Sequence, residues 1–130
     1  MITRRVTILG STGSVGSSTL ELMEQAQAAG SGRFEVEALT GGANIARLAE
    51  QARCWRPRIA VTADPARLNE LREALAGTGV EAAAGPEAIV EAAVRPADWI
   101  MASIVGAAGL RSAWAAAGTG ATLALANKES

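Results

Sequence analysis

Three glycines near the amino terminus have the spacing of a phosphate-binding turn. Gly10, Gly13 and Gly16 follow an apolar, β-branched run and precede apolar residues at helical spacing, which predicts a strand, a tight turn and a helix. Glycines let the backbone turn sharply and approach a ligand closely. The unpaired N–H groups of the first helical turn and the positive end of the helix dipole attract an anion. This stretch therefore predicts a phosphate site that includes Gly10.

The motif differs from the usual dinucleotide-binding fingerprint by one residue. That fingerprint reads Gly-x-Gly-x-x-Gly, whereas this chain has Thr12 at the position of the second glycine and its own second glycine one residue later. The hydroxyl groups of Ser11, Thr12 and Ser14 can each bind a pyrophosphate oxygen beside the backbone amides. A glycine motif alone is weak evidence, so a glycine-rich turn that binds nothing is the alternative.

A second loop has the composition expected for recognition of a phosphorylated ribose. In dinucleotide-binding folds, an acid roughly 20 residues beyond the glycines holds the ribose 2′-hydroxyl. The loop at 40–44, Thr-Gly-Gly-Ala-Asn, contains no acid, and Arg47 follows one helical turn later. A missing acid removes repulsion against a 2′-phosphate, to which Asn44 can donate a hydrogen bond. The loop predicts NADP rather than NAD, and a solvated helix surface is the alternative role for Arg47.

The elements that position these loops alternate along the chain. Predicted strands cover residues 6–9, 34–39, 58–62, 80–83, 98–105 and 121–126, and helical patterns separate them, the last at 106–118. This alternation predicts a Rossmann-like, doubly wound parallel sheet in three layers, with strand order 3-2-1-4-5-6. The ligand then lies across the carboxyl ends of the strands, where loops 10–16, 40–44, 103–109 and 127–130 meet.

Length, composition and charge exclude several classes of protein. The chain has 130 residues, which predicts one domain, and its 3% aromatic content predicts a core of Ala, Val, Leu and Ile. A net charge of −1 with interspersed signs argues against a nucleic-acid partner. No apolar run is long enough to span a bilayer and no signal peptide is evident, so we expect a soluble, cytoplasmic protein with no membrane partner.

The content of cysteine and histidine restricts the chemistry further. With one cysteine and no histidine, the chain has neither a disulfide framework nor a zinc site that contains histidine. We expect Cys54 to be a packed, small apolar side chain rather than a nucleophile, because no histidine is available to activate it.

Three segments together resemble the 1-deoxy-D-xylulose 5-phosphate reductoisomerases. They are Gly-Ser-Thr-Gly-Ser-Val-Gly-Ser-Ser-Thr-Leu at 10–20, Met-Ala-Ser-Ile-Val-Gly-Ala-Ala-Gly-Leu at 101–110 and Leu-Ala-Asn-Lys-Glu-Ser at 125–130. The resemblance covers the whole chain, and its most specific part is the Asn-Lys-Glu-Ser motif. It implies an enzyme that depends on NADPH and a divalent metal. Such an enzyme rearranges and reduces 1-deoxy-D-xylulose 5-phosphate to 2-C-methyl-D-erythritol 4-phosphate in non-mevalonate isoprenoid biosynthesis.

The resemblance also assigns binding residues. It implies that Thr12, Gly13, Ser14 and Val15 hold the cofactor pyrophosphate and that Gly42, Ala43 and Asn44 hold the phosphate on the adenosine ribose. Asn127 and Glu129 would lie along the cofactor, and Lys128 would reach the substrate. Family members often carry a basic residue where this chain has Ala43. That departure leaves the 2′-phosphate contact to Asn44 and Arg47.

In this family, the metal carboxylates and the loop that closes over the substrate follow the Asn-Lys-Glu-Ser motif. We therefore expect residues 1–130 to be the N-terminal NADPH-binding domain of a larger, homodimeric enzyme that acts on a small phosphosugar. The Mg²⁺ or Mn²⁺ ligands would lie outside this chain, which alone would bind NADPH without turnover. No catalytic residue and no metal ligand is assigned within it.

Other functions also fit the glycine turn. A semialdehyde dehydrogenase would need a catalytic cysteine beyond this domain, and an extended short-chain reductase would need a Tyr-x-x-x-Lys pair, although the chain has no tyrosine. A non-enzymatic, nucleotide-sensing module is consistent with the lack of an acid/base pair. The residues that follow Ser130 would distinguish these alternatives.

Overall fold

Strands and helices alternate through residues 3–30, 32–104 and 122–127, which the computed structural model describes. The strands are β1 (Thr3–Leu9), β2 (Arg33–Gly41), β3 (Ile59–Thr62), β4 (Glu81–Ala84), β5 (Trp99–Ile104) and β6 (Thr122–Asn127). The helices are α1 (Ser14–Ala28), α2 (Ile45–Trp55), α3 (Leu68–Ala74) and α4 (Pro86–Ala93). The helix predicted at 106–118 lies outside the described residues.

The six strands in the described part of the chain are all parallel and form one sheet in the order β4-β3-β2-β1-β5-β6. The predicted doubly wound α/β class is confirmed, but the predicted strand order 3-2-1-4-5-6 is wrong for the fourth strand. That strand, β4, lies at the edge of the sheet beside β3. The short helix α3 packs on α2 and β4, so the chain continues from β3 to the next outer strand. Helix α4 contacts strands β1 to β4, and the chain then reaches β5 beside β1. The strand order therefore reverses at β1, and the predicted order also reverses there.

Apolar side chains fill both faces of the sheet. Helices α1, α2 and α3 cover one face, where the buried residues include Ile8, Leu20, Met23, Leu39, Leu48 and Leu71. On the other face, Ala92 and Ala93 of α4 are buried against small residues such as Ala38, Val61 and Ala102. The predicted aliphatic core is confirmed, and its small side chains let α4 lie close to the sheet.

Two local features concern the turn after β3 and the predicted packing of Cys54. Asp64 caps the turn, since its Oδ1 accepts from Ala66 N at 3.0 Å; a 3₁₀ turn (Pro65–Arg67) follows it and α3 begins only at Leu68. Cys54 is exposed rather than packed. The buried face of α2 includes Leu48 and Ala52, and position 54 is turned about 200° from position 52.

Among the described residues, no helix has the length and apolar character needed to cross a membrane.

Candidate functional site

Two loops with polar backbone groups lie side by side at the carboxyl edge of the sheet. Residues 10–13 connect β1 to α1, and residues 42–44 connect β2 to α2. They are neighbours because β1 and β2 pair in parallel, with Ile8 opposite Leu39. At the same edge, Asn127 ends β6 opposite Ile104 of β5. The strand ends thus bring together the described parts of the predicted ligand loops, while residues 105–109 and 128–130 lie outside the described residues.

The glycines of the first loop meet different requirements. Gly10 has a φ of 81°, a left-handed conformation that side chains other than glycine rarely adopt. A Cβ atom on Gly16 would overlap the backbone of Gly10 and Ser11. A Cβ atom on Gly13 would come no closer than 3.5 Å to another protein atom, the carbonyl oxygen of Gly10. The fold therefore requires glycine at 10 and 16, whereas the space beside Gly13 is open.

Backbone donors are concentrated where α1 begins. Gly13 is the N-cap residue, with φ −74° and ψ 174°, and the first turn of α1 carries neither a side-chain cap nor an acid. The first N–H groups of an α-helix have no partner within the helix, and the helix dipole makes this end positive. The N–H group of Thr12 also has no acceptor among the described residues. These donors form a site with the chemistry to bind a phosphate.

Thr40, the penultimate residue of β2, holds this loop in place. Its Oγ1 accepts from Gly10 N at 2.8 Å, and its carbonyl oxygen accepts from Ser11 N at 2.7 Å. The Ser11 hydroxyl donates to the same carbonyl at 3.3 Å, and Ser11 is fully buried. The predicted contact between the Ser11 hydroxyl and a pyrophosphate is therefore wrong, because this hydroxyl is turned into the protein.

Thr62 anchors the second loop in a similar way. Its hydroxyl, at the end of β3, donates to the carbonyl oxygen of Gly42 at 2.8 Å and accepts from Asp64 N at 3.2 Å. The side chain is fully buried. Residues 42–44 themselves are exposed, so the loop presents its outer surface to solvent at the carboxyl edge.

The polar side chains of the second loop have a defined arrangement. Asn44 caps α2, because its Oδ1 accepts from Arg47 N at 3.1 Å. The Asn44 amide nitrogen can therefore donate outward. The Arg47 guanidinium forms an ion pair with Glu50 at 3.1 Å, with 41% of the Arg47 side chain exposed. Since exposed ion pairs of this kind contribute little stability, Arg47 can exchange Glu50 for a phosphate.

The structure places most of the predicted site residues at this edge. Gly10, Thr12 and Gly13 form the first turn, Ser14 and Val15 begin α1, and Gly42, Ala43 and Asn44 form the second loop. Asn127 lies at the end of β6, three strand positions from β2 in the sheet order. Lys128 and Glu129 lie outside the described residues.

Three residues that support the loops were not predicted from the sequence: Thr40 as an anchor, Thr62 and Gln51. Gln51 Nε2 donates to the carbonyl oxygen of Ser11 at 2.8 Å. The available signals were a threonine near the end of two successive strands and a glutamine beside the apolar face of α2. In the described part of the chain, no group of three or more His, Cys, Asp and Glu residues could hold a metal ion.

Comparison with known proteins identifies the family. The model of the family "1-deoxy-D-xylulose 5-phosphate reductoisomerase" matches residues 6–130. Curated relatives with that name include those of Bradyrhizobium sp. (strain BTAi1), 57% identical over 126 residues, and Ruegeria pomeroyi, 60% identical over 126 residues. Each alignment covers 97% of this chain and 30% or 31% of the relative, so the chain spans about a third of the relatives' length.

Solved structures agree in fold and sequence. The reductoisomerase from Zymomonas mobilis in complex with NADPH superposes with a TM-score of 0.90 at 51% identity, over 96% of this chain and 32% of that one. A reductoisomerase in complex with NADPH, fosmidomycin and magnesium gives a TM-score of 0.86 at 36% identity, over 95% of this chain and 30% of that one. This chain belongs to the 1-deoxy-D-xylulose 5-phosphate reductoisomerase family.

Proposed function

We propose that residues 1–130 form the NADPH-binding domain of an enzyme that rearranges and reduces 1-deoxy-D-xylulose 5-phosphate to 2-C-methyl-D-erythritol 4-phosphate. The main supporting observation is the turn at 10–16. Its outer glycines are required by the fold, whereas Gly13 leaves open space beside unpaired backbone donors. Family membership supports the same assignment, since a relative 51% identical was solved with NADPH.

In this proposal, backbone groups bind the pyrophosphate of the cofactor. Thr12, Gly13, Ser14 and Val15 surround the start of α1, where N–H groups and the helix dipole favour an anion. A hydrogen bond between an N–H group and a charged oxygen is worth about 1.5–3 kcal/mol, so several such bonds account for tight nucleotide binding. Because these donors are held by the fold, little ordering is needed when the cofactor binds.

The second loop is proposed to recognise the phosphate on the adenosine ribose. Gly42, Ala43 and Asn44 are exposed, and no acid in the loop repels a phosphate. Asn44 keeps an amide donor because its oxygen is used in capping α2. Arg47 adds a cation one turn along the helix. This arrangement favours NADPH over NADH.

The roles of Asn127, Lys128 and Glu129 assume that the cofactor extends across the strand ends from β1 toward β6. When bound, NADPH supplies the hydride for the reduction. Asn127 and Glu129 would orient the nicotinamide end, and Lys128 would bind the phosphosugar through its ammonium group. The metal ligands would be supplied from outside this chain, as the resemblance to the family implies. We propose that the full-length enzyme is a homodimer.

Calorimetric titration of the natural full-length protein with NADPH and NADH tests the cofactor assignment. We expect NADPH to bind at least about tenfold more tightly, which corresponds to about 1.4 kcal/mol. Equal or reversed affinities would contradict the role of the second loop. Addition of 1-deoxy-D-xylulose 5-phosphate and Mg²⁺ should then cause oxidation of NADPH, whereas binding without turnover would favour a nucleotide-sensing module.

A further inference from the structure

A glutamine of α2 contacts the phosphate turn from inside the protein. Gln51 is 6% exposed, and its Nε2 donates to the carbonyl oxygen of Ser11 at 2.8 Å and to Ser17 Oγ at 3.3 Å. The Ser17 hydroxyl donates to the same Ser11 carbonyl at 3.2 Å. Side chains from two helices therefore bind one carbonyl group in the turn.

The direction of this carbonyl determines the direction of the next N–H group. In a planar trans peptide the C=O and N–H bonds point in opposite directions, and no peptide bond in the described residues is cis. Because the Ser11 carbonyl points toward Gln51, the N–H group of Thr12 points away from Gln51. It has no acceptor in the described part of the chain, which leaves it free for a ligand.

The amino side of Ser11 is fixed separately. Ser11 N donates to the carbonyl oxygen of Thr40 at 2.7 Å. Thr40 therefore holds the peptide before Ser11, and Gln51 with Ser17 holds the peptide after it. Only the second of these two peptides carries the Thr12 donor, so its orientation depends on Gln51 more directly than on Thr40.

The amide group of Gln51 is buried at a cost. Its Oε1 has no hydrogen-bond partner among the described residues, and an unsatisfied buried acceptor costs about 1–3 kcal/mol. An apolar side chain of similar length would fill this position without that cost. The role of the Gln51 side chain therefore lies in its Nε2 donor and not in its Oε1 acceptor.

We propose that Gln51 is a positioning residue for the cofactor pyrophosphate. It keeps the peptide between Ser11 and Thr12 in the orientation that presents the Thr12 N–H group to the phosphate. This inference rests on the proposed NADPH function. Without Gln51 the Ser17 hydroxyl alone donates to the Ser11 carbonyl, at 3.2 Å, so the peptide is held less firmly and binding must include the cost of ordering it.

The test uses two substitutions in the natural full-length protein. Gln51→Met keeps the length but removes the donor, and Gln51→Glu places carboxylate oxygens against the Ser11 carbonyl. We expect Gln51→Met to weaken NADPH binding about three- to tenfold, on the scale of one hydrogen bond, and Gln51→Glu to weaken it further. Both variants should lose the same factor for NADH, because both nucleotides carry the pyrophosphate.

Gln27→Met is the matched control. Gln27 Oε1 accepts from Phe34 N at 2.7 Å, at the start of β2 and away from the turn. Its loss should lower the melting temperature without changing either dissociation constant. This control separates an effect on the turn from general destabilisation.

Three outcomes would overturn the inference. A folded Gln51→Met variant with wild-type affinity shows that Gln51 does not position the donor, and a loss confined to NADPH assigns it to the 2′-phosphate instead. If Gln51→Met does not fold, Gln51→Glu, which also removes the donor, is measured instead, and unchanged affinities there also contradict the inference. A wild-type protein that binds neither nucleotide refutes the proposed function itself.

Discussion

Each of the three glycines in the turn is needed for a different physical reason. Gly10 provides a positive φ, Gly16 lets α1 touch the turn, and Gly13 leaves room at the start of the helix. In the proposed function, only the third of these reasons involves a ligand. Substitutions at the three positions should therefore separate folding from binding.

Gly13→Val should abolish NADPH binding while the protein stays folded. The added side chain starts 3.5 Å from the nearest protein atom, so the fold accepts the Cβ atom, but the side chain then occupies the proposed pyrophosphate site. We expect a loss of at least about 1.4 kcal/mol in binding, or tenfold, with little change in far-UV circular dichroism. Normal binding by the variant would show that the turn is not the phosphate site.

Gly16→Ala is the comparison for this result. Its Cβ atom would overlap the backbone of Gly10 and Ser11, so we expect a loss of about 1–3 kcal/mol in the free energy of unfolding, typical of overpacking. Denaturant unfolding measures this loss directly. A Gly16→Ala variant as stable as the wild type would show that α1 does not pack as closely on the turn as the structure indicates.

Asn44→Asp should change nucleotide preference without loss of the helix cap. Aspartate can still accept from Arg47 N, as Asn44 does at 3.1 Å, but it replaces the amide donor with a negative charge. Repulsion should weaken NADPH binding by about 1 kcal/mol or more, while NADH binding changes little or improves. Calorimetry with both nucleotides measures the ratio of the NADPH and NADH dissociation constants. A ratio equal to that of the wild type would show that Asn44 does not contact the 2′-phosphate.

At the level of elements, each loop is held by the end of the neighbouring strand. Thr40 of β2 anchors the loop after β1, and Thr62 of β3 anchors the loop after β2. The sequence predicted both loops, because glycine spacing and apolar runs are local signals. The anchors depend on how strands pair across the sheet, and that information is not local.

Glu37 shows why pairing is hard to predict. The register between β1 and β2 shifts after Val6, which pairs with Val36, so that Thr7 pairs with Ala38 and Glu37 forms a bulge. The Glu37 side chain is only 3% exposed and forms ion pairs with Arg5, Arg58 and Arg95 at 3.7, 3.6 and 3.0 Å. A simple alternation of residues would have continued the pairing without the bulge.

Glu37→Gln should lower stability but not cofactor affinity. It removes a charge-assisted hydrogen bond from Arg95, and the partly exposed arginines limit the cost to about 1–2 kcal/mol. Glu35→Gln is the matched control, because Glu35 is 60% exposed and 3.9 Å from Arg5. Urea unfolding should separate the two variants. Equal stabilities would show that the buried cluster contributes nothing beyond surface charge.

For the whole molecule, composition and alternation were enough to predict the doubly wound class. They did not predict that β4 lies outside β3, since a four-residue strand carries little information about its neighbours. The described parts of the predicted loops still lie at the carboxyl edge beside β1, because β1 lies at the reversal point in both orders.

Lys128→Ala tests the proposed link between this domain and the substrate. We expect the variant of the natural full-length protein to show a higher substrate KM and a kcat/KM lower by about 1.5–3 kcal/mol, the scale of a hydrogen bond to a charged group. Affinity for NADPH should change little. Unaltered substrate kinetics, or loss of NADPH binding instead, would show that Lys128 does not contact the substrate.

A crystal structure of the natural full-length protein with NADPH tests the central proposal most directly. We expect pyrophosphate oxygens within about 2.7–3.2 Å of the Thr12 N–H group and of N–H groups in the first turn of α1, with the 2′-phosphate beside Asn44. The Ser11 hydroxyl should still bind Thr40. A nucleotide with its pyrophosphate away from Gly13, or bound at another edge of the sheet, would show that the turn at 10–16 is not the cofactor site.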